Sequence, residues 1–137
     1  MSPFWTFDHT ADLGLLVRAA DLEGLFIEAA KGLALLMVGE FPVVPAGWRE
    51  IRVEAPETEI LLADFLSELL AMTVVEELVP VKIEIDRLEP ESLKVRAGFI
   101  RLKDLGELKR EIKAVTYHGL SLTGTPTGVE ARLVFDV

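Results

Sequence analysis

The stretch "DLGLLVRAADLEGLFIEAAKGLALLMVG", residues 12–39, decides the fold because its hydrophobic period changes once along its length. In its first part, apolar side chains alternate from Leu13 to Val17, which predicts a strand. Further on they recur at helical spacing, and Asp21 is placed to accept a hydrogen bond at the helix N-terminus. Gly39 is placed to end that helix. We therefore expect a strand that feeds a capped helix.

A second helix is predicted by "PETEILLADFLSELLAM", residues 56–72, which places acidic residues in the first turn, where the helix dipole favours them. Apolar side chains cover most of its circumference, so we expect it to be the most buried helix. Val74 and Val75 could extend it or begin a strand. Pro80 is expected to end it.

The remaining segments read as strands. A hairpin is predicted by two alternating runs that flank Pro90. Isolated helices between runs of strands favour an α+β fold with two main helices packed on a mixed, largely antiparallel sheet, and a strand–helix–strand pattern occurs twice. We expect one domain over residues 1–137. The predicted extended runs are 48–55, 81–89, 92–100, 111–122 and 129–137, with a turn at 123–128.

The composition restricts the classes of function. The 137 residues are 50% hydrophobic and contain no cysteine, which excludes disulfides and thiolate metal sites. No signal peptide and no membrane span are apparent, so we expect a soluble, cytoplasmic protein. The net charge of −9 disfavours direct nucleic-acid binding and suits a basic protein partner or a bound cation, unless it serves solubility alone.

Asparagine and glutamine are both absent from the chain. Proteins from hyperthermophiles tend to have fewer of these heat-labile amides. The composition therefore predicts a thermophilic source.

Candidate site residues cluster at predicted strand ends. Asp8, His9 and Asp12 lie in "FDHTADLG", which we place in the loop that enters the first long strand. Asp136 lies in "RLVFDV", a strand-like run that should be tied into the sheet. Each aspartate could be a solvated surface charge. If their strands are neighbours, Asp12, Asp136 and the carboxylate of Val137 could supply oxygen ligands to Ca²⁺ or Mg²⁺.

A second set of candidates lies in "IKAVTYHGLSL". His9 and His118 could be general bases, ligands or structural residues, and Lys113 could be a plain surface charge. No phosphate-binding loop, zinc-protease motif or nucleophile elbow is present. Two hypotheses stay open from the residues alone: a small metal-dependent hydrolase using Asp8, His9, Asp12 and His118, or a protein-binding module in which the acidic residues are surface charge.

Five motifs in order along the chain together resemble the archease family. They are "FDHTADLGLLVRA", "DLEGLFIEAAKGLALLM", "LLADFLSELLAM", "IKAVTYHGLSL" and "RLVFDV". The resemblance implies a compact α+β domain. It also implies a protein that is not itself an enzyme and that activates an RtcB-type RNA ligase in tRNA splicing and RNA repair, promoting ligase guanylylation and multiple turnover.

The resemblance also implies a divalent-metal site. Its ligands would be Asp12, Asp136 and Val137, with Ca²⁺ bound in crystals and Mg²⁺ or Mn²⁺ as candidates in function. Lys113 and His118 become candidates for contact with the ligase, and Asp8 and His9 become supporting residues in the same partner-binding region.

Overall fold

The computed structural model describes residues 3–9 and 12–137, and only the backbone of residues 7–9. Within these residues the chain forms three helices and seven strands, and every pair of neighbouring strands is antiparallel. The α+β prediction is therefore confirmed. The elements are β1 (Phe4–His9), β2 (Asp12–Ala19), α1 (Leu22–Val38), β3 (Gly47–Glu54), α2 (Thr58–Glu76), β4 (Leu78–Glu89), β5 (Ser92–Arg101), α3 (Leu102–Leu105), β6 (Ala114–Thr125) and β7 (Gly128–Asp136).

The strands form two sheets rather than the single sheet that we predicted. The first has the order β1-β2-β7-β6 and the second the order β3-β5-β4. Helix α1 connects β2 of the first sheet to β3 of the second. Helix α2 connects β3 to β4, the two edge strands that flank β5 in the second sheet. Both long helices contact strands of both sheets, so the core lies between the helices and the sheets.

Helix α1 begins and ends where the sequence predicts. The Asp21 carboxylate accepts a hydrogen bond from the Gly24 N–H at 2.7 Å. Gly39, at φ 75°, adopts a conformation that costs glycine little, and its N–H donates to the Leu35 carbonyl. The buried face of α1 meets α2 through Phe26 and Phe65, whose ring centroids are 6.0 Å apart.

Helix α2 continues to Glu76, so Val74 and Val75 belong to the helix. The prediction that Pro80 ends it is wrong. Glu76 is the last helical residue, and the next residue, Glu77, adopts the left-handed conformation at φ 57°. Pro80 lies inside β4. A proline fits there because β4 is an edge strand with an irregularity at Pro80–Lys82.

Three further differences concern short segments. Residues 4–9 form β1, which we had not predicted as a strand. The predicted turn at 123–128 is confined to 126–127, because the preceding three residues continue the β6 ladder. The four-residue helix α3 was not predicted.

Candidate metal centre

Two carboxylates face each other at one end of the first sheet. Asp12 is the first residue of β2, Asp136 is the last residue of β7, and their Cα atoms are partners in the antiparallel ladder. Directly opposite residues share a face of the sheet, with Cβ atoms about 4.5–5.5 Å apart. The ladder thus brings the two predicted ligands together from opposite ends of the chain.

Hydrophobic packing fixes this register. The inner-face residues Leu13 and Leu15 pair with Phe135 and Leu133, and all four are buried. A slip of one residue would turn these side chains to the outer face, so the buried face specifies the pairing. The same register places the two aspartates opposite each other on the outer face.

The end of β7 is held from both sides, as the sequence predicted. On one side Asp136 pairs with Asp12, and on the other it pairs with Ala114 of β6. The Lys113 N–H also donates to the Asp136 carbonyl at 2.7 Å. Val137 is half-buried and packs against the core. The backbone that carries the Asp136 carboxylate is therefore well fixed.

The Asp12–Asp136 pair concentrates negative charge at this end of the sheet. Asp136 is exposed and Asp12 is half-buried, and among the side chains that the structure describes none forms an ion pair with either. Like charges directly opposite each other destabilise a ladder. A bound cation would remove that cost.

The donor set fits a hard divalent cation. Ca²⁺ takes six to eight oxygen ligands from carboxylates, backbone carbonyls and water. No group of three or more acidic or histidine side chains suited to a metal forms among the described residues. Oxygens of Val137 and of water are candidates to complete a coordination shell around Asp12 and Asp136.

Asp8 and His9 do not lie in a loop, contrary to our prediction. Both belong to β1, with His9 the Cα partner of Asp12 and Asp8 the partner of Leu13. Thr10 and Ala11, which complete the motif, lie outside the described residues. The backbone of His9 thus stands in one row with Asp12, Asp136 and Ala114 across the four strands.

Lys113 and His118, which belong to one sequence motif, lie at different distances from the Asp12–Asp136 pair. Lys113 directly precedes Ala114, beside the carboxylate row. His118 lies in an irregular part of β6, between residues paired with Val134 and Arg132, or roughly 7–13 Å along the sheet from Asp136. His118 is exposed, and its N–H donates to the Thr116 hydroxyl at 3.2 Å. Of the four residues in the hydrolase hypothesis, His118 is therefore displaced along the sheet, whereas the backbone of Asp8 and His9 lies beside Asp12.

Tyr117 has a role that sequence reasoning missed. Its hydroxyl donates a hydrogen bond to the Asp64 carboxylate on α2, which raises the pKa of the tyrosine. The contact fixes β6 against α2. The available signal in the sequence was Asp64, a polar residue within the otherwise apolar run of α2.

Known proteins resemble this chain along nearly its whole length. A model of the Archease protein family matches residues 4–137. The "Protein archease" of Thermococcus kodakarensis is 38% identical over 126 residues, covering 89% of each chain. That of Saccharolobus solfataricus is 31% identical and covers 100% of both chains.

Two solved structures share the fold. The solution structure of Methanobacterium thermoautotrophicum protein 1598 is 30% identical, with a TM-score of 0.81 over 100% of both chains. The crystal structure of an archease from Thermotoga maritima, described as a possible chaperone, is 24% identical, with a TM-score of 0.64 over 96% of this chain and 94% of that one. The fold and the sequence thus define a small α+β protein of the archease type. The chain belongs to the archease family.

None of the helices that the structure describes is both long enough and apolar enough to cross a lipid bilayer.

Proposed function

We propose that this archease is a cytoplasmic accessory protein that activates an RtcB-type RNA ligase in tRNA splicing and RNA repair. It would do so through a divalent cation held between Asp12 and Asp136. The observation that carries the proposal is the pairing of these two carboxylates in one ladder. No described side chain forms an ion pair with either of them. Family membership and the net charge of −9 support it.

The site is suited to holding a cation that another protein can reach. Asp136 is exposed at the end of β7, while the backbone around it is fixed by the Lys113 N–H and by Val137. When bound, the cation supplies the positive charge that metal-dependent guanylylation of the ligase requires. The two carboxylates bind and orient it.

The placement of His118 gives no support to its use beside Asp12, which the hydrolase alternative requires. A catalytic metal site needs its ligands and base around one point. His118 lies apart from the Asp12–Asp136 pair along β6. Hydrolysis of phosphoesters by the purified protein alone would favour the hydrolase.

The test is a ligation assay with purified components. With limiting cognate ligase, GTP and a broken RNA stem, the protein should raise both guanylylation and the number of turnovers. Asp12→Asn and Asp136→Asn keep the side-chain shape and remove the charge, and each should abolish the effect. Asp86→Asn is the matched control, because Asp86 is an exposed strand aspartate in the second sheet.

Two results would contradict the proposal. One is an unchanged turnover number when the wild-type protein is added. The other is full activation by Asp12→Asn and Asp136→Asn, which would make the carboxylate pair irrelevant to the activity.

A further inference from the structure

The exposed stripe of α2 changes character along the helix. Its N-terminal part carries Asp64 and Glu68, as expected for a face turned to water. Its C-terminal part is apolar and consists of Ala71, Val74 and Val75, which we call the valine ridge. Val74 is 55% exposed and Val75 is 77% exposed. Exposed apolar side chains that adjoin one another, rather than standing singly, mark interaction surfaces.

A groove runs along each side of the valine ridge. One, of about 330 Å³, lies between the ridge and the start of β6, and its far wall includes Lys113, Ala114 and Val115. The other, of about 220 Å³, lies toward β3 and is bounded by Arg49 and Ile51. A ridge between two grooves is a shape into which another protein's side chains can interdigitate.

The first groove connects the ridge to the carboxylate row. Ala114 lines the groove and is the Cα partner of Asp136, which in turn pairs with Asp12. A protein seated on the ridge and filling this groove would therefore lie beside the Asp12–Asp136 pair.

The charges around the ridge indicate the chemistry of the occupant. Glu76 is paired with Arg49, with an Nη1–Oε2 distance of 2.5 Å. Glu68 and Glu77 are exposed and have no ion-pair partner among the described side chains. Lys113 lines the first groove. A partner with an apolar centre, basic residues facing Glu68 and Glu77, and an acidic residue facing Lys113 therefore complements this surface. A second copy is disfavoured because each copy carries a net charge of −9.

We infer that the valine ridge and its two grooves are the surface on which the ligase docks. The inference rests on the proposed function for the identity of the partner. The ligase places apolar side chains in the grooves and basic residues opposite Glu68 and Glu77. Docking there brings the Asp12–Asp136 pair against the ligase without using either carboxylate for affinity.

The chain offers a matched control for the test. Val43 and Val44, in the loop between α1 and β3, are 56% and 76% exposed, almost the same values as Val74 and Val75. The double variants Val74→Glu/Val75→Glu and Val43→Glu/Val44→Glu therefore add the same charges at equally exposed valines. Only the first pair lies on the proposed surface.

The affinity of each protein for the purified ligase is measured by biolayer interferometry, and Ca²⁺ binding by calorimetry. We expect Val74→Glu/Val75→Glu to weaken ligase binding by at least about tenfold, as for central residues of an interface. The control should bind like wild type, and both should bind Ca²⁺ like wild type. If the double variant fails to fold, Val75→Lys replaces it, because a cation is favoured near a helix C-terminus.

Three outcomes overturn the inference, and a fourth separates it from the proposed activation. Wild-type affinity in Val74→Glu/Val75→Glu, or an equal loss in the control, removes the ridge from the interface. A wild-type dimer in solution that the variant abolishes assigns the ridge to a second copy. If the wild-type protein does not bind the ligase, the ligase is not the partner of this surface. If ridge-dependent binding occurs and turnover does not rise, the docking surface stands and the proposed activation fails.

Discussion

The two ends of the β2–β7 ladder differ in the charges that they pair. At one end Arg18 pairs with Glu130, and its Nε lies 2.5 Å from the carboxylate while its guanidinium lies over the Trp5 ring. At the other end Asp12 faces Asp136 with no positive side chain described between them. The same two strands thus place a complementary pair and a like-charged pair in equivalent positions. The first pair holds the two strands together by opposite charge, and the second is the pair for which we propose a bound cation.

The largest expected effect is on the packing that sets the register of both pairs. Phe135 is fully buried on the inner face, beside Asp136 in sequence. Phe135→Ala should lower the free energy of unfolding by about 3–5 kcal/mol, because it leaves a cavity. Urea unfolding measures this. A loss below about 1 kcal/mol would mean that the register is held by something else.

The second effect is stabilisation by calcium at the like-charged end. With Ca²⁺ at 100 times its Kd, the wild-type protein should gain about 2.7 kcal/mol of unfolding free energy. Asp136→Asn should gain nothing, and the control Asp86→Asn should gain as much as wild type. In chelator, Asp136→Asn should be at least as stable as wild type, because the repulsion is removed.

Thermal unfolding with and without Ca²⁺ gives both comparisons. If Asp136→Asn is stabilised by Ca²⁺ as much as wild type, the ion binds elsewhere.

The third effect concerns the complementary end. Glu130→Gln should cost only about 0.2–1 kcal/mol, because the ion pair is largely exposed, and high salt should reduce the difference. The calcium response should be unchanged. Urea unfolding at low and high salt measures the effect, and a lost calcium response would contradict the separate roles of the two ends.

The smallest expected effect is the pH dependence of the stability contributed by Glu76, which is paired with Arg49. A hydrogen bond from Arg49 lowers the pKa of Glu76 below its ordinary value of 4.5. Because the folded pKa is lowered, the pair's contribution to stability is present above pH 4.5 and is lost as the pH falls through the folded value. Arg49→Met should raise the Glu76 midpoint in an NMR titration. An unmoved midpoint would show that the pair does not persist in solution.

The helices and strands were predicted well where several sequence signals agreed. The strand over 12–19 and helix α1 were found because alternation, an N-cap at Asp21 and a terminal Gly39 all agree. Strand β1 was missed because "HTAD" carries no glycine or proline turn signal and two aromatic residues stand together in "FWTF". Pro80 misled for the opposite reason, since an edge strand tolerates a residue that we took as a helix end.

The candidate site could be predicted only in part. Asp12 and Asp136 were named from residue type and strand position, and the resemblance joined them, but their pairing is a property of the ladder between distant segments. His118 lies in an irregular part of β6 that also contains Gly119 at φ 66°, and this glycine inside a strand pattern was the available signal. The exposure of Val74 and Val75 depends on which face of α2 the sheets cover.

The central claim is that Asp12 and Asp136 together bind one divalent cation. Isothermal titration of Ca²⁺ into the wild-type protein, Asp12→Asn, Asp136→Asn and Asp86→Asn tests it most directly. The account predicts one site in the wild-type protein and in Asp86→Asn, and its loss in both other variants. Equal binding in all four proteins, or none in the wild type, would contradict it.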